Sequence, residues 1–418
     1  RSSAASDVYK RQIREVAFML IERKEYLNKL EAWKNKRLIK VITGVRRCGK
    51  STLMEMFQEQ LKKEGVAESQ ILSVNFEDYD FYDLRDPAQL HAYIQERIDA
   101  GSMNYIFLDE VQHVADFPRV VDSLYIKKNI DLYLTGSNAY MLSGEIATLL
   151  SGRYVEISML PLSFREYVES MGDRRELGRK YTDYLQNSSF PYTLELRDNA
   201  KEIRTYLDAI YNTVVVKDIA ARKKISDTLM LESVTRFLFD NIGNPLSSKK
   251  IADTMTSAGR KIDVKTVEKM IEGLTKSFIL YRAGRYNIKG KQYLKTMDKY
   301  YVVDIGLRDA LLGSRGVDVG HILENVVYLE LLRRGYAVYV GKVDEQEVDF
   351  VAMDDTGCRY YQVAATVREQ TTLQRELAPL QKIWEHYPKL LLTLDEDPAA
   401  DYDGIRRVNA LDWLLGKD

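Results

Sequence analysis

"GVRRCGKST", residues 44–52, stands between the apolar run "LIKVI" (38–42) and a stretch with helical spacing. Gly44 and Gly49 bracket a loop whose backbone N–H groups can wrap a polyphosphate, because glycine puts no Cβ in the way. The helix N-terminus that follows adds partial positive charge. Val45, Arg46, Arg47 and Cys48 complete the loop, and Lys50 is placed to reach the β and γ phosphates of ATP. Ser51 sets a hydroxyl where Mg²⁺ would sit, and Thr52 extends the same turn. The alternative is a glycine-rich strand-to-helix turn of no chemistry; the complete pattern in a strand–loop–helix setting favours the phosphate loop.

Outward from this loop, apolar runs alternate with helical patterns. The strands are "RLIKVIT", "ILSVNFED", "NYIFLDE", "IDLYLTGSN" and "RYVEISML", with helices expected over 49–63, 87–99 and 117–127. That alternation predicts an open parallel α/β sheet, and runs without polar interruption fit strands covered by helices on both faces. "YIFLDE" (105–110) ends in an acidic pair at the C-terminal end of a strand, where open sheets place nucleotide sites. Asp109 is the candidate Mg²⁺ support, and Glu110 the group that orients and polarises the attacking water. In "LTGSN" (134–138), Asn138 or Ser137 is a candidate sensor of the γ phosphate, or Gly136 and Ser137 are turn residues only. Arg153 begins the last strand and is a candidate for stabilising transition-state charge, from its own chain or a neighbouring copy; a surface ion pair is the plainer reading. Cys48, beside Lys50 and a helix N-terminus, reads as a low-pKa thiol that could brake ATP binding on oxidation, or as a small loop filler.

Composition narrows the class. Lys+Arg 61 against Asp+Glu 62 leaves a formal net charge of -1, so any nucleic-acid surface must be local. Two cysteines without CxxC argue against a disulfide framework or a zinc site and fit the cytoplasm. No apolar run reaches the ~18–20 residues of a membrane span. The first residues, "RSSAASDVYKRQ", look like translated sequencing-adaptor read-through, so 1–12 are set aside as non-native; Met19 as the start and a lost longer leader both stay open.

Past Pro161 the pattern becomes long helices to about residue 245. Residues 246–303 read as helix, turn, helix and hairpin, the order of a winged helix-turn-helix. Its basic residues are Lys249, Lys250, Arg260, Lys261, Lys265 and Lys269, diluted by Asp253, Asp263, Glu268 and Glu272. DNA and a protein partner are both open as its ligand. A third α/β unit follows, with the helix "ILENVVYLELLRRG" and the strands "AVYVGK", "QEVDFVAM", "CRYYQVAA" and "KLLLTLD".

The order "LIKVITGVRRCGKST", "YIFLDEVQHV", "YLTGSNAYMLSGEIATLLSGR", "LPLSFREY", then "NTVVVKDIAARKKI" and "ENVVYLELLRRGYAVYVGKVDEQEVDF", resembles prokaryotic AAA-type ATPases carrying a C-terminal DUF4143 domain. The resemblance covers about residues 20–418 and implies an AAA-like core, a winged-helix middle and an end similar to the PD-(D/E)xK nuclease fold. The expected division is an N-terminal helix (13–36), ATPase core (37–168), helical segment (169–245), winged helix (246–310) and nuclease-like unit (311–418). In that nuclease fold a helix acid, a strand Asp and an acidic-x-Lys triplet gather metal. Glu324 and Asp349 match, but the triplet is "QVA", with Gln362 for the acid and Ala364 for the lysine. An amide is a poor ligand for a hard cation, and alanine cannot orient a water, so this unit is expected to be inactive. The expectation is a Mg²⁺-dependent ATPase whose nucleotide state repositions the later units on DNA or a protein partner, with homo-oligomers open. The alternative is a nucleotide-gated DNA-binding regulator with little turnover.

Overall fold

The computed structural model describes residues 21–142, 150–313 and 318–417; the expected leader and residues 13–20 lie outside them. Helix α1 (Lys24–Trp33) buries Tyr26, Leu27 and Leu30 and leads into strand β1 (Ile39–Thr43). Then follow α2 (Lys50–Lys63), β2 (Ile71–Asn75), α3 (Pro87–Gln95), β3 (Asn104–Asp109), α4 (Phe117–Tyr125), β4 (Ile130–Gly136) and β5 (Tyr154–Ser158). The five strands form one sheet in the order β2-β3-β4-β1-β5, and every neighbouring pair is parallel.

Alternation along each strand explains the continuous apolar runs. Ile42, Phe107 and Tyr133 face α2 and its Phe57, while Ile39, Val41, Ile106, Leu108, Leu132 and Leu134 face α3 and α4. Each such buried side chain contributes roughly 1.5–3 kcal/mol. Lys40 interrupts the β1 run, yet it is fully buried, because its ammonium pairs with Asp131 on β4. A buried lysine survives only with such a partner.

The middle of the chain is helical: α5 (Phe164–Ser170), α6 (Leu177–Asn187), α7 (Ala200–Tyr211) with a π-helical continuation over Asn212–Ile219, and α8 (Thr228–Asp240). Next come α9 (Ser248–Ser257) and α10 (Val264–Lys276), begun by Ser247 and Asp263, whose side chains accept the N–H of Lys250 and Thr266. These caps each satisfy one of the helix's free N–H groups. A hairpin of β6 (Leu280–Asn287) and β7 (Gln292–Val302) completes the expected helix–helix–hairpin order.

The hairpin is not a separate wing. It is one edge of an eight-stranded sheet, because β6 pairs in parallel with β8 (Ala337–Val343) through Arg285–Val340 to Asn287–Lys342. The elements after it are α11 (Ile305–Leu312), α12 (Val319–Arg333), β9 (Gln346–Asp354), β10 (Gly357–Ala364) and α13 (Gln370–Gln381), then β11 (Lys389–Thr393), β12 (Ala400–Tyr402), β13 (Ile405–Asn409) and α14 (Ala410–Leu414). Their sheet runs β12-β13-β11-β10-β9-β8-β6-β7. The boundary expected at 310/311 therefore falls within α11, between strands of one sheet, and a single buried apolar cluster extends from Tyr26 to Leu415.

Candidate active site

β1 delivers the chain into the loop at Gly44, whose φ of +150° carries it under β5; a Cβ there would stand 2.2 Å from the Met159 carbonyl oxygen. Gly49 turns the chain with φ +100° into α2, so Lys50 is the first helical residue. The Lys50 ammonium donates to the carbonyls of Gly44 and Val45, both at 3.2 Å, and lies 3.6 Å from Glu110. Arg46, at the loop's outer side, pairs at 3.1 Å with Asp218 from the π-helical segment.

The acidic pair emerges at the end of β3, beside the loop. Burial pushes the Asp109 carboxyl above its usual range, although hydrogen bonds from Ser51 and Thr135 oppose the shift. Ser51 and Asp109 thus stand together, a pair of hard oxygen donors that suits Mg²⁺. Glu110 has φ +53°, a conformation costing a non-glycine residue about 1–3 kcal/mol, and it aims the side chain back at Lys50. Burial raises the Glu110 pKa, but Lys50, Gln112, Ser137 and Arg46 outweigh it and hold the carboxyl below its usual range. An ionised carboxylate is the form a base needs.

Two residues missed in the sequence hold this pair. Thr135 accepts the Glu110 N–H at 2.8 Å and donates its hydroxyl to Asp109, and the Gln112 amide donates to Glu110. Thr135 lies within the quoted "LTGSN", but the hydroxyl's role depends on the pairing of β3 with β4. Asn138 is 4% exposed, and neither polar atom of its side chain has a partner among the described residues. A buried amide of this kind is uncommon and marks a functional candidate.

Two expectations meet different surroundings. Arg153 sits at the start of β5, its carbonyl bonded to Ile39 N–H at the start of β1, and its guanidinium pairs with Asp122. The loop leaves the opposite end of β1, about 13 Å away at strand rise, so Arg153 does not reach its own chain's phosphate loop. Cys48 is fully buried, its thiol 3.6 Å from the Met159 carbonyl, and desolvation raises its pKa. The low-pKa reading fails because burial outweighs Lys50; the loop-filler reading fits. Beneath the loop, Arg23, not singled out in the sequence, donates to the Cys48 carbonyl at 3.1 Å.

In the C-terminal unit Glu324 on α12, Asp349 on β9 and Gln362 on β10 line one cavity of about 590 Å³, with Ala364. A lysine from elsewhere in the chain enters this cavity: Lys299 of β7 lies 2.9 Å from Glu324 and 2.8 Å from Glu347. The six basic residues of α9, α10 and the turn between them are all exposed.

Residues 36–168 match the family described as AAA domain, which together with the parallel sheet and the loop makes this part of the chain an AAA-type P-loop domain. Residues 178–318 match a domain of unknown function, DUF8612; this is a different unit from the DUF4143 domain that the resemblance implied, and it runs across the boundary expected at 245/246. A Haemophilus influenzae protein described as uncharacterized is 39% identical over 400 residues, 95% of this chain and 99% of its own. The chain belongs to the family of that protein. MJ1544 of Methanocaldococcus jannaschii, also described as uncharacterized, is 27% identical over 362 residues, 82% of this chain and 78% of its own. Among solved structures, the Walker-type ATPase PABY2304 of Pyrococcus abyssi is 14% identical and has a TM-score of 0.49, covering 70% of this chain and 96% of its own. No helix among the described residues is long and apolar enough to cross a membrane.

Proposed function

We propose that the chain is a Mg²⁺-dependent ATPase of the cytoplasm whose nucleotide state repositions the helical and C-terminal parts on DNA or a protein partner. The observation that carries this reading is Glu110: a buried carboxylate 3.6 Å from Lys50 that accepts the Gln112 amide, on a backbone whose N–H donates to the Thr135 hydroxyl. A protein that only binds nucleotide has no use for an acid so oriented. The loop N–H groups and Lys50 bind the phosphates, Glu110 takes the proton of the attacking water, and Asn138 offers its free amide to the γ phosphate. Ser51 and Asp109 would hold Mg²⁺, which offsets charge on the phosphate oxygens when bound. The Arg46–Asp218 pair links the loop to the helical segment, which supports transmission of nucleotide state. The cavity around Glu324 and Asp349 is read as a scaffold that cleaves nothing.

Phosphate release measured with ATP binding tests the reading. Lys50→Ala is expected to lose ATP binding, whereas Glu110→Gln should keep it and lose turnover by about 10²–10⁴-fold. Equal turnover in wild type and Glu110→Gln would remove the catalytic assignment and leave the regulator with little turnover. Stimulation by DNA, compared across sequences and salt, separates a nucleic-acid partner from a protein.

A further inference from the structure

A divalent cation in the C-terminal cavity would need several hard oxygens with free lone pairs converging on one point. The donor set does not offer that. Lys299 Nζ lies 2.9 Å from Glu324 Oε1, 2.8 Å from Glu347 Oε1 and 4.0 Å from Asp349 Oδ1. Glu324 Oε1 also accepts the Tyr301 hydroxyl at 2.6 Å, and Asp349 Oδ2 accepts the Val363 N–H at 2.8 Å. Of the two remaining acids, Glu376 is held at 2.8 Å by the Gln362 amide and at 2.7 Å by Arg375, and Asp318 lies 2.7 Å from His321 Nδ1. Among the described residues no group of three or more His, Cys, Asp or Glu is arranged to hold a metal ion.

We infer that Lys299 is the resident cation of this cavity: its ammonium takes the place among Glu324, Glu347 and Asp349 that a divalent ion would take, and closes the site to metal. The inference rests on the reading of this unit as a non-cleaving scaffold and names what closes it. An ammonium has three N–H donors, enough to serve three carboxylates, and it repels a second cation brought to the same oxygens. Lys299 is only 4% exposed, so it is fixed in place. Burial alone would lower its pKa, but Glu324, Asp349 and Glu347 reverse the shift and keep it charged. The closing group comes from the β6–β7 hairpin, so the hairpin's seat in the sheet and the state of the cavity are one geometric condition.

The test is Mn²⁺ binding to the full nucleotide-free chain, by calorimetry and by loss of the free-ion electron-resonance signal. Wild type and Asp349→Asn should bind alike, with no Asp349-dependent site at millimolar Mn²⁺. Lys299→Met should gain one site at least about tenfold tighter than any wild-type binding there, and Lys299→Met/Asp349→Asn should lose it. Lys299→Arg keeps a cation and should gain none. An Asp349-dependent Mn²⁺ site in wild type overturns the inference, a measurement that needs no lysine variant to fold. A folded Lys299→Met chain, judged by circular dichroism and its melt, that gains no site overturns it as well. Mn²⁺ binding without DNA cleavage sinks Lys299's role alone; cleavage abolished by Asp349→Asn sinks the scaffold reading with it. Phosphate release from ATP reads out the ATPase separately.

Discussion

Thr135 serves both acids of the site, accepting from the Glu110 backbone and donating to the Asp109 side chain, so one hydroxyl fixes the Asp109 carboxylate relative to Glu110. Its neighbour Asn138 is the opposite case, a buried amide with neither polar atom engaged among the described residues. Unsatisfied burial of this kind costs about 1–3 kcal/mol, which a protein retains where function uses the group. Asn138→Ala is therefore expected to leave stability equal or raise it, while turnover drops about ten- to a hundredfold. Urea midpoint and phosphate release on the same preparation check this. A destabilised variant with normal turnover would make Asn138 a packing residue.

The phosphate loop was legible in sequence because every part of its chemistry is local: two glycines, a lysine and a hydroxyl within nine residues, flanked by a strand and a helix. Arg23 and Lys299 were not legible, since their meaning comes from partners 143 and 25 residues away, and a charge beside polar neighbours reads as solvated. The hairpin shows the same limit at the scale of an element. Its strands were visible as strands, but its membership in the eight-stranded sheet depends on pairing with β8, across two intervening helices. Helices α9 and α10 carry exposed basic side chains, and Asp263 and Glu272 temper them: Asp263 caps α10, and Glu272 pairs with Lys223 at 2.5 Å and Lys276 at 2.8 Å. Lys265 and Lys269 lie on the exposed face of α10. If α10 meets DNA phosphates, Lys265→Glu/Lys269→Glu should weaken binding at low salt and flatten the salt dependence by about 0.9 for each phosphate left without its lysine. Fluorescence anisotropy across a salt series measures both, and a wild type without salt-sensitive affinity assigns the face to a protein.

Across the whole molecule, one buried line joins the phosphate loop to the C-terminal sheet. Arg23 donates to the Cys48 carbonyl in the loop and to Leu160 and Pro161 at the exit of β5, and pairs with Glu166 at 2.7 Å. The same Pro161 carbonyl accepts from Arg333 at 3.0 Å, at the end of α12. Glu324 lies about 2.5 turns earlier on that helix, in the Lys299 cavity. Burial would raise the Glu166 pKa, but Arg23 and Arg333 with the Ser163 N–H keep its carboxyl below the usual range, so Glu166 is ionised at neutral pH. Coupling needs an element that both sites bias, and α12 is the one in contact with both ends. In the Glu110→Gln background, which should hold ATP without turning it over, adding ATP is expected to slow amide exchange in 319–333. Arg333→Met should bind ATP with the same affinity, because Arg333 does not touch the loop, yet lose that slowing. The variant leaves no bare carboxylate, since Glu330 keeps Arg334 at 2.9 Å, so a folded protein is expected. Exchange followed by mass spectrometry with and without ATP decides it: the same response in both chains would mean that the Pro161 contact carries no signal and that α12 only supports the fold.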